Sequence, residues 1–271
     1  MVVYSGSASA LVKRKHVSRA NYEGDESVRS KAVVRFLNRA ARYNDDLELI
    51  AVFGLAVERN TLTPESGTPL FEHIDAGLHP RLTKAKPSDH NRQLVYGHLR
   101  KTVYASYIKD LYEDFVDYLG DIVSSAARKG FDPNVLRGEY KVQLSAADLL
   151  EAGSWDTTLA LMVEALHHRL AAMGTVKIIE FLDKRLGLEL DQGVIDAAMS
   201  YIDLRHLLVH CDGIADEGFC SRNPALCTYP NDSVRLDDSV VTDAYAAIVA
   251  LVEHIDERAV ATGILASEDL N

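Results

Sequence analysis

The stretch Tyr104-Ala-Ser-Tyr-Ile-Lys-Asp-Leu-Tyr-Glu-Asp-Phe-Val-Asp-Tyr-Leu-Gly-Asp-Ile122 decides the fold. Tyr104, Ile108, Leu111, Phe115, Leu119 and Ile122 recur at threes and fours, while Lys109, Glu113, Asp117 and Asp121 fall on other faces. A helix turns once in about 3.6 residues, so this spacing is a single apolar stripe on an amphipathic bundle helix. Asp89 offers a capping carboxylate at one end and Gly130 a stop at the other. The predicted helix therefore runs from Asp89 to about Lys129.

Downstream the same periodicity continues. Ser145-Ala-Ala-Asp148 has the form of a capping box opening a short helix, after a weakly extended Tyr140 to Leu144. Helices are predicted over Thr158 to Met173 and Thr175 to Leu186, with Gly174 at the break. Another runs from Asp191 to His210, and a last one opens at Asp238 or Ser239 and runs through Ile255. Between these two lies a long connection, residues 211 to 238, with Gly213, Gly218, Pro224 and Pro230. Connections of that length inside a domain are usually functional or disordered. Upstream, Glu26 to Tyr43 and Asp46 to Glu58 read as two helices, and prolines 64, 69, 80 and 87 mark a boundary. The expectation is an all-α chain in two parts. Residues 1 to 88 form a basic helical segment, and residues 89 to 271 a bundle of four or five helices.

The 271 residues, nearly half of them hydrophobic, suffice for a core without metals or disulfides. No apolar run approaches the length that a membrane span needs. The start, Met1 to Ala10, lacks a charged segment leading into an apolar one, so no signal peptide is expected. Three cysteines, Cys211, Cys220 and Cys227, are an odd set and argue for a reducing compartment without disulfides. The expected location is the cytoplasm.

Net charge is −11, but residues 1 to 42 carry +6 and the remainder −17. Within that basic arm Lys31, Arg35, Arg39 and Arg42 are spaced four, four and three, a stripe able to hold RNA phosphates without reading sequence. The structural alternative is a surface face paired with acids of the body.

Tyr201-Ile-Asp-Leu-Arg205-His206-Leu-Leu-Val-His210-Cys-Asp-Gly213-Ile-Ala-Asp216-Glu-Gly-Phe219 carries the chemistry. Arg205 falls on the apolar stripe of Ile195, Ala198, Ile202 and Val209, where a permanent cation needs an anion, a cleft or a second chain. His210 is five residues on, about 140° around a regular helix, so the two do not share a face. Gly213 predicts a helix end that frees His210 from strict helical geometry. An imidazole titrating near neutrality can act as base or acid, and a guanidinium fork matches phosphate oxygens. One of each is a thin kit for a reaction that needs both acid and base.

This segment resembles the signature of the HEPN superfamily, an Arg followed by a polar residue, a few apolar residues and a His. The polar position holds His206, where the family more often has Asn or Asp. The continuation through Gly213, Asp216 and Phe219 is similar to members whose motif runs into a His-x-x-Gly-x-x-Asp loop. The resemblance covers the helical bundle and not the amino-terminal 90 residues. It implies an HEPN-like bundle and a metal-independent endoribonuclease that uses the RNA's own 2′-hydroxyl, leaving 2′,3′-cyclic phosphate and 5′-hydroxyl ends. It implies that Arg205 and His210 are catalytic with His206 in support, that no cofactor is used, and that a homodimer forms through the Asp191 to His210 helix. It further implies a toxin or antiviral-defence effector, with RNA as substrate and an antitoxin or defence partner. The other reading is a non-catalytic HEPN module that binds RNA or a protein.

Each residue also has a plainer account. Arg205 can bridge to Asp203, Asp212 or Asp216, and His210 can simply meet the helix dipole. Zinc on His206, His210, Cys211 and Cys220 lacks both the Glu of H-E-x-x-H and any C-x-x-C pair. His167 and His168 are adjacent and read as surface residues, and Glu113 and Asp114 could line the site but read more simply as a solvated face.

Overall fold

The stripe from Tyr104 to Ile122 is buried along its whole length in the computed structural model, which describes residues 28–58, 77–78, 89–130 and 132–271. Among these lie α1 (Lys31–Glu58), α2 (Asp89–Gly130), α3 (Ala146–Ala152), α4 (Trp155–Met173) and α5 (Thr175–Glu180). A π turn over Phe181–Arg185 extends α5, and α6 (Gln192–His210), α7 (Glu217–Arg222) and α8 (Asp238–Ala261) complete the order. No β-strand occurs among the described residues. The protein is an all-α helical bundle. No helix among the described residues is long and apolar enough to cross a membrane.

α2 is the axis, in contact with α1, α4, α6 and α8. Its stripe meets Phe36, Leu37 and Ala40 of α1, Leu166 and Leu170 of α4, Ala198 and Ile202 of α6, and Ile248, Leu251 and Ile255 of α8 in a single core. Truncating one such side chain to Ala costs about 2–5 kcal/mol, which keeps this face of α2 inward. Local signals place the ends. Ser145 and Asp148 make both bonds of the capping box at α3, and Asp191 caps α6 by accepting from the Val194 N–H at 3.1 Å.

Some expectations are corrected. The two helices predicted for the amino-terminal segment are one continuous α1, which begins at Lys31. Asn44, Asp45 and Asp46 are weak helix formers but not breakers. Asn44 accepts from the Tyr107 hydroxyl of α2 at 3.0 Å, while Leu47 and Ile50 carry the buried stripe onward. The start of α1 is fixed by Ser30, whose N–H (3.1 Å) and hydroxyl both donate to buried Asp256 of α8. Burial pushes the Asp256 carboxyl up despite those bonds. The segment at Tyr140 is a 3-10 turn over Gly138–Tyr140, since Tyr140 is buried against Phe181 with ring centroids 5.0 Å apart. The cap of α8 is Asp237, not Asp238 or Ser239, because Asp238 accepts from the Tyr104 hydroxyl. Burial acts to raise the Asp237 carboxyl, but bonds from Ser239, Arg235 and the Val240 N–H together outweigh it and hold the group at about 2. The expectation of no disulfide also fails. Cys220 and Cys227 are bonded, with Cα atoms 5.3 Å apart, and only Cys211 is free. Pairing within so short a loop is compatible with an odd total.

The boundary marked by prolines 64, 69, 80 and 87 lies outside the described residues, as do residues 1 to 27 of the basic arm.

Candidate functional site

Helix α6 stops where Gly213 predicted. The Cys211 and Gly213 N–H groups both donate to the Leu207 carbonyl, at 3.0 and 3.2 Å, and Asp212 and Gly213 take positive φ values of 53° and 75°. A side chain at Gly213 would be strained in that conformation. The chain then folds back on itself. The Val234 N–H donates to the Gly213 carbonyl at 2.8 Å, Ala215 pairs with Asp232 and Asn231, and Phe219, Leu226 and Val234 are buried. Asp216 caps α7 by accepting from the Phe219 N–H at 2.7 Å. The long connection is thus an ordered cover over the end of α6. Its His-x-x-Gly-x-x-Asp spacing has a local cause, a helix stop followed by a cap.

Arg205 lies on the inward edge of α6, its side chain 22% exposed, and faces α2. Its guanidinium stacks over the Tyr112 ring, 4.4 Å from the centroid. The Tyr112 hydroxyl is 2.5 Å from the Thr175 hydroxyl on α5, which holds the ring in place. Only Glu113 approaches as an anion, at 3.9 Å from Nη2, and Nε is buried with no acceptor among the described residues. Tyr112, Glu113, Val116, Asp117, Thr175, Ile178 and Arg205 enclose a cleft of about 380 Å³. The alternative partners named for Arg205 are occupied or exposed elsewhere. Asp203 accepts from Arg222 and Asn223 at 3.4 Å each, and Asp216 caps α7.

His206 and His210 are exposed on the outer side of α6, with ring centroids 4.7 Å apart and planes tilted by 48°. Neither makes a hydrogen bond among the described residues. The chain therefore brings His206 to His210, as their i, i+4 spacing requires, and directs Arg205 into the cleft against α2. Tyr112 and Thr175 were missed by sequence reasoning. Tyr112 flanks the α2 stripe like any aromatic, and no local signal names a partner on α6.

The stripe on α1 has a different fate. Arg35 pairs with Asp121, and Arg39 with Asp114 at 2.7 Å and Asp117 at 3.7 Å. Asp114 is buried and also accepts from the Tyr43 hydroxyl at 2.8 Å, so it is not on a solvated face. Burial and that bond push Tyr43 up to about 12, and the bond to Asp114 raises Arg39. Lys31 donates to the neutral Glu268 carbonyl at 2.6 Å, and Arg42 is exposed without a partner among the described residues. His167 is half-buried, packed on Gly120, rather than a surface residue, while His168 is exposed.

No family model, curated protein or solved structure matches this chain.

Proposed function

We propose that this protein is a metal-independent endoribonuclease of the HEPN type. Arg205 binds the scissile phosphate and steadies the charge that grows on it. His210 removes the proton from the 2′-hydroxyl, the 2′-oxygen attacks phosphorus, and the 5′-oxygen leaves with a proton. A second His210, from another copy docked along α6, supplies that proton, and exposed Val209 offers apolar area beside it. His206, one turn away, positions His210. Lys31 and Arg42 remain available to guide RNA phosphates, whereas Arg35 and Arg39 already have carboxylates.

One observation carries this reading. Arg205 sits at a cleft with its side chain 22% exposed and, among the described residues, its nearest carboxylate 3.9 Å away. Its outer N–H groups therefore keep capacity for a phosphate oxygen, to which a guanidinium fork is matched. Such an enzyme acts where it meets RNA, as a toxin or antiviral-defence effector restrained by a partner protein. A second reading has one observation in its favour. The stack of Arg205 on Tyr112 also clamps α6 to α2, as a non-catalytic RNA- or protein-binding module would need.

Incubating the pure protein with RNA in EDTA and mapping the ends separates the two. The expected products carry 2′,3′-cyclic phosphate and 5′-hydroxyl ends. Intact RNA, or cleavage only after magnesium or zinc is added, would overturn the proposal.

A further inference from the structure

We infer that His206 and His210 form a binding site for a divalent transition metal of the zinc class, and that an ion held there silences the nuclease proposed above. The second half rests on that proposal; the first does not. Both imidazoles are exposed on one face of α6, and neither has a hydrogen bond or ion pair among the described residues, so their ring nitrogens are free to coordinate.

The spacing suits a shared ion. A zinc–nitrogen bond is about 2.0–2.1 Å, which puts each ring centroid roughly 3.2 Å from the metal. Two rings meeting near the tetrahedral angle then have centroids about 5 Å apart, close to the 4.7 Å found here. The pair also stands at the carboxyl end of α6, where the unpaired carbonyls favour a cation. No third His, Cys, Asp or Glu completes the group among the described residues. Cys220 is tied to Cys227, and Asp203, one turn before His206, is engaged by Arg222 and Asn223. Water fills the remaining positions, so the site is open and of moderate strength. Imidazole ligands select zinc, copper or nickel over magnesium and calcium, which prefer oxygen. An imidazole whose lone pair is on a metal cannot accept the 2′-hydroxyl proton, so occupancy and cleavage exclude each other.

The test is calorimetric titration of the full-length protein with zinc, with magnesium as control, beside an RNA-cleavage assay over the same concentrations. With two protein ligands the site binds zinc more weakly than the four-ligand structural sites of small domains. The expected result is one zinc per chain, binding weakened at least tenfold by His206→Ala or His210→Ala and unchanged by Cys211→Ser, with cleavage inhibited by zinc and restored by EDTA. Both histidines are exposed and Ala is a good helix former, so these variants fold. Zinc binding that survives both histidine changes, or that disappears with Cys211→Ser, would overturn the site. If the wild type cuts no RNA, the nuclease reading fails while calorimetry still decides the metal site. If zinc binds the pair and cleavage continues undiminished, the site stands but it does not silence the nuclease, and His210 is not the proton carrier.

Discussion

Arginines of two helices, Arg35 and Arg39 on α1 and Arg205 on α6, face α2, and their surroundings differ. On α1, Arg35 and Arg39 reach carboxylates directly, Asp121 for the first and Asp114 with Asp117 for the second. On α6, Arg205 reaches an aromatic ring and a distant glutamate, with Nε unsatisfied. A cation already hydrogen-bonded to a carboxylate has little left for a phosphate. A cation lying over a ring keeps most of its donors, since the ring attracts the charge without taking its N–H groups. By this contrast Arg35 and Arg39 serve the fold, and Arg205 keeps donors for the ligand we propose.

The largest expected effects fall on the α6 side. His210→Ala should slow RNA cleavage by roughly 10²–10⁴, as for loss of a general acid or base. Arg205→Ala should slow it by about 10²–10³, as for one positioned electrostatic donor. Both rates are read on purified protein in EDTA, and unchanged rates would remove the distinction between the two arginine groups.

On the α1 side the expected effect is on stability. Asp114→Ala leaves the Tyr43 hydroxyl and Arg39 without their acceptor and should cost about 1–3 kcal/mol. Chemical denaturation reads this directly. Arg35→Ala removes a half-exposed pair and should cost no more than about 1 kcal/mol. Equal losses would mean that burial of Asp114 does not set the difference.

The smallest effect concerns RNA association. Among the described residues, Lys31 and Arg42 are the members of the stripe with no carboxylate at ion-pair distance. Lys31→Glu with Arg42→Glu should flatten the salt dependence of single-strand binding, by about 0.7 in log–log slope for each phosphate no longer neutralised. A slope that changes only when Arg35 and Arg39 are altered would reverse the assignment.

What the sequence could and could not reveal divides along the same line. The buried face of α2, the box at Ser145, the cap at Asp191 and the stop at Gly213 were legible because each depends on residues within one or two turns. The continuity of α1 through Asn44 was not, because it depends on Tyr107, 63 residues away. The arginine stripe was legible as a stripe. Its pairing with acids of the body was one of the two readings, but which acids was not legible, because Asp114, Asp117 and Asp121 follow a helical period that reads equally well as a solvated face. Arg205 and the His206–His210 pair were legible as chemistry. The Tyr112 ring and the Thr175 hydroxyl that define the cleft come from other helices, and no spacing in the chain joins them to Arg205.

Cleavage of a dinucleotide in EDTA by two variants, Arg205→Ala and the double change Arg35→Ala with Arg39→Ala, tests the contrast most directly when melting temperature is measured beside it. A dinucleotide reaches the cleft but is too short to need the α1 surface. The account predicts that the double variant keeps the wild-type rate and melts lower, while Arg205→Ala loses about 10²–10³ in rate and melts within a few degrees of wild type. A double variant that loses activity while Arg205→Ala retains it would contradict the account.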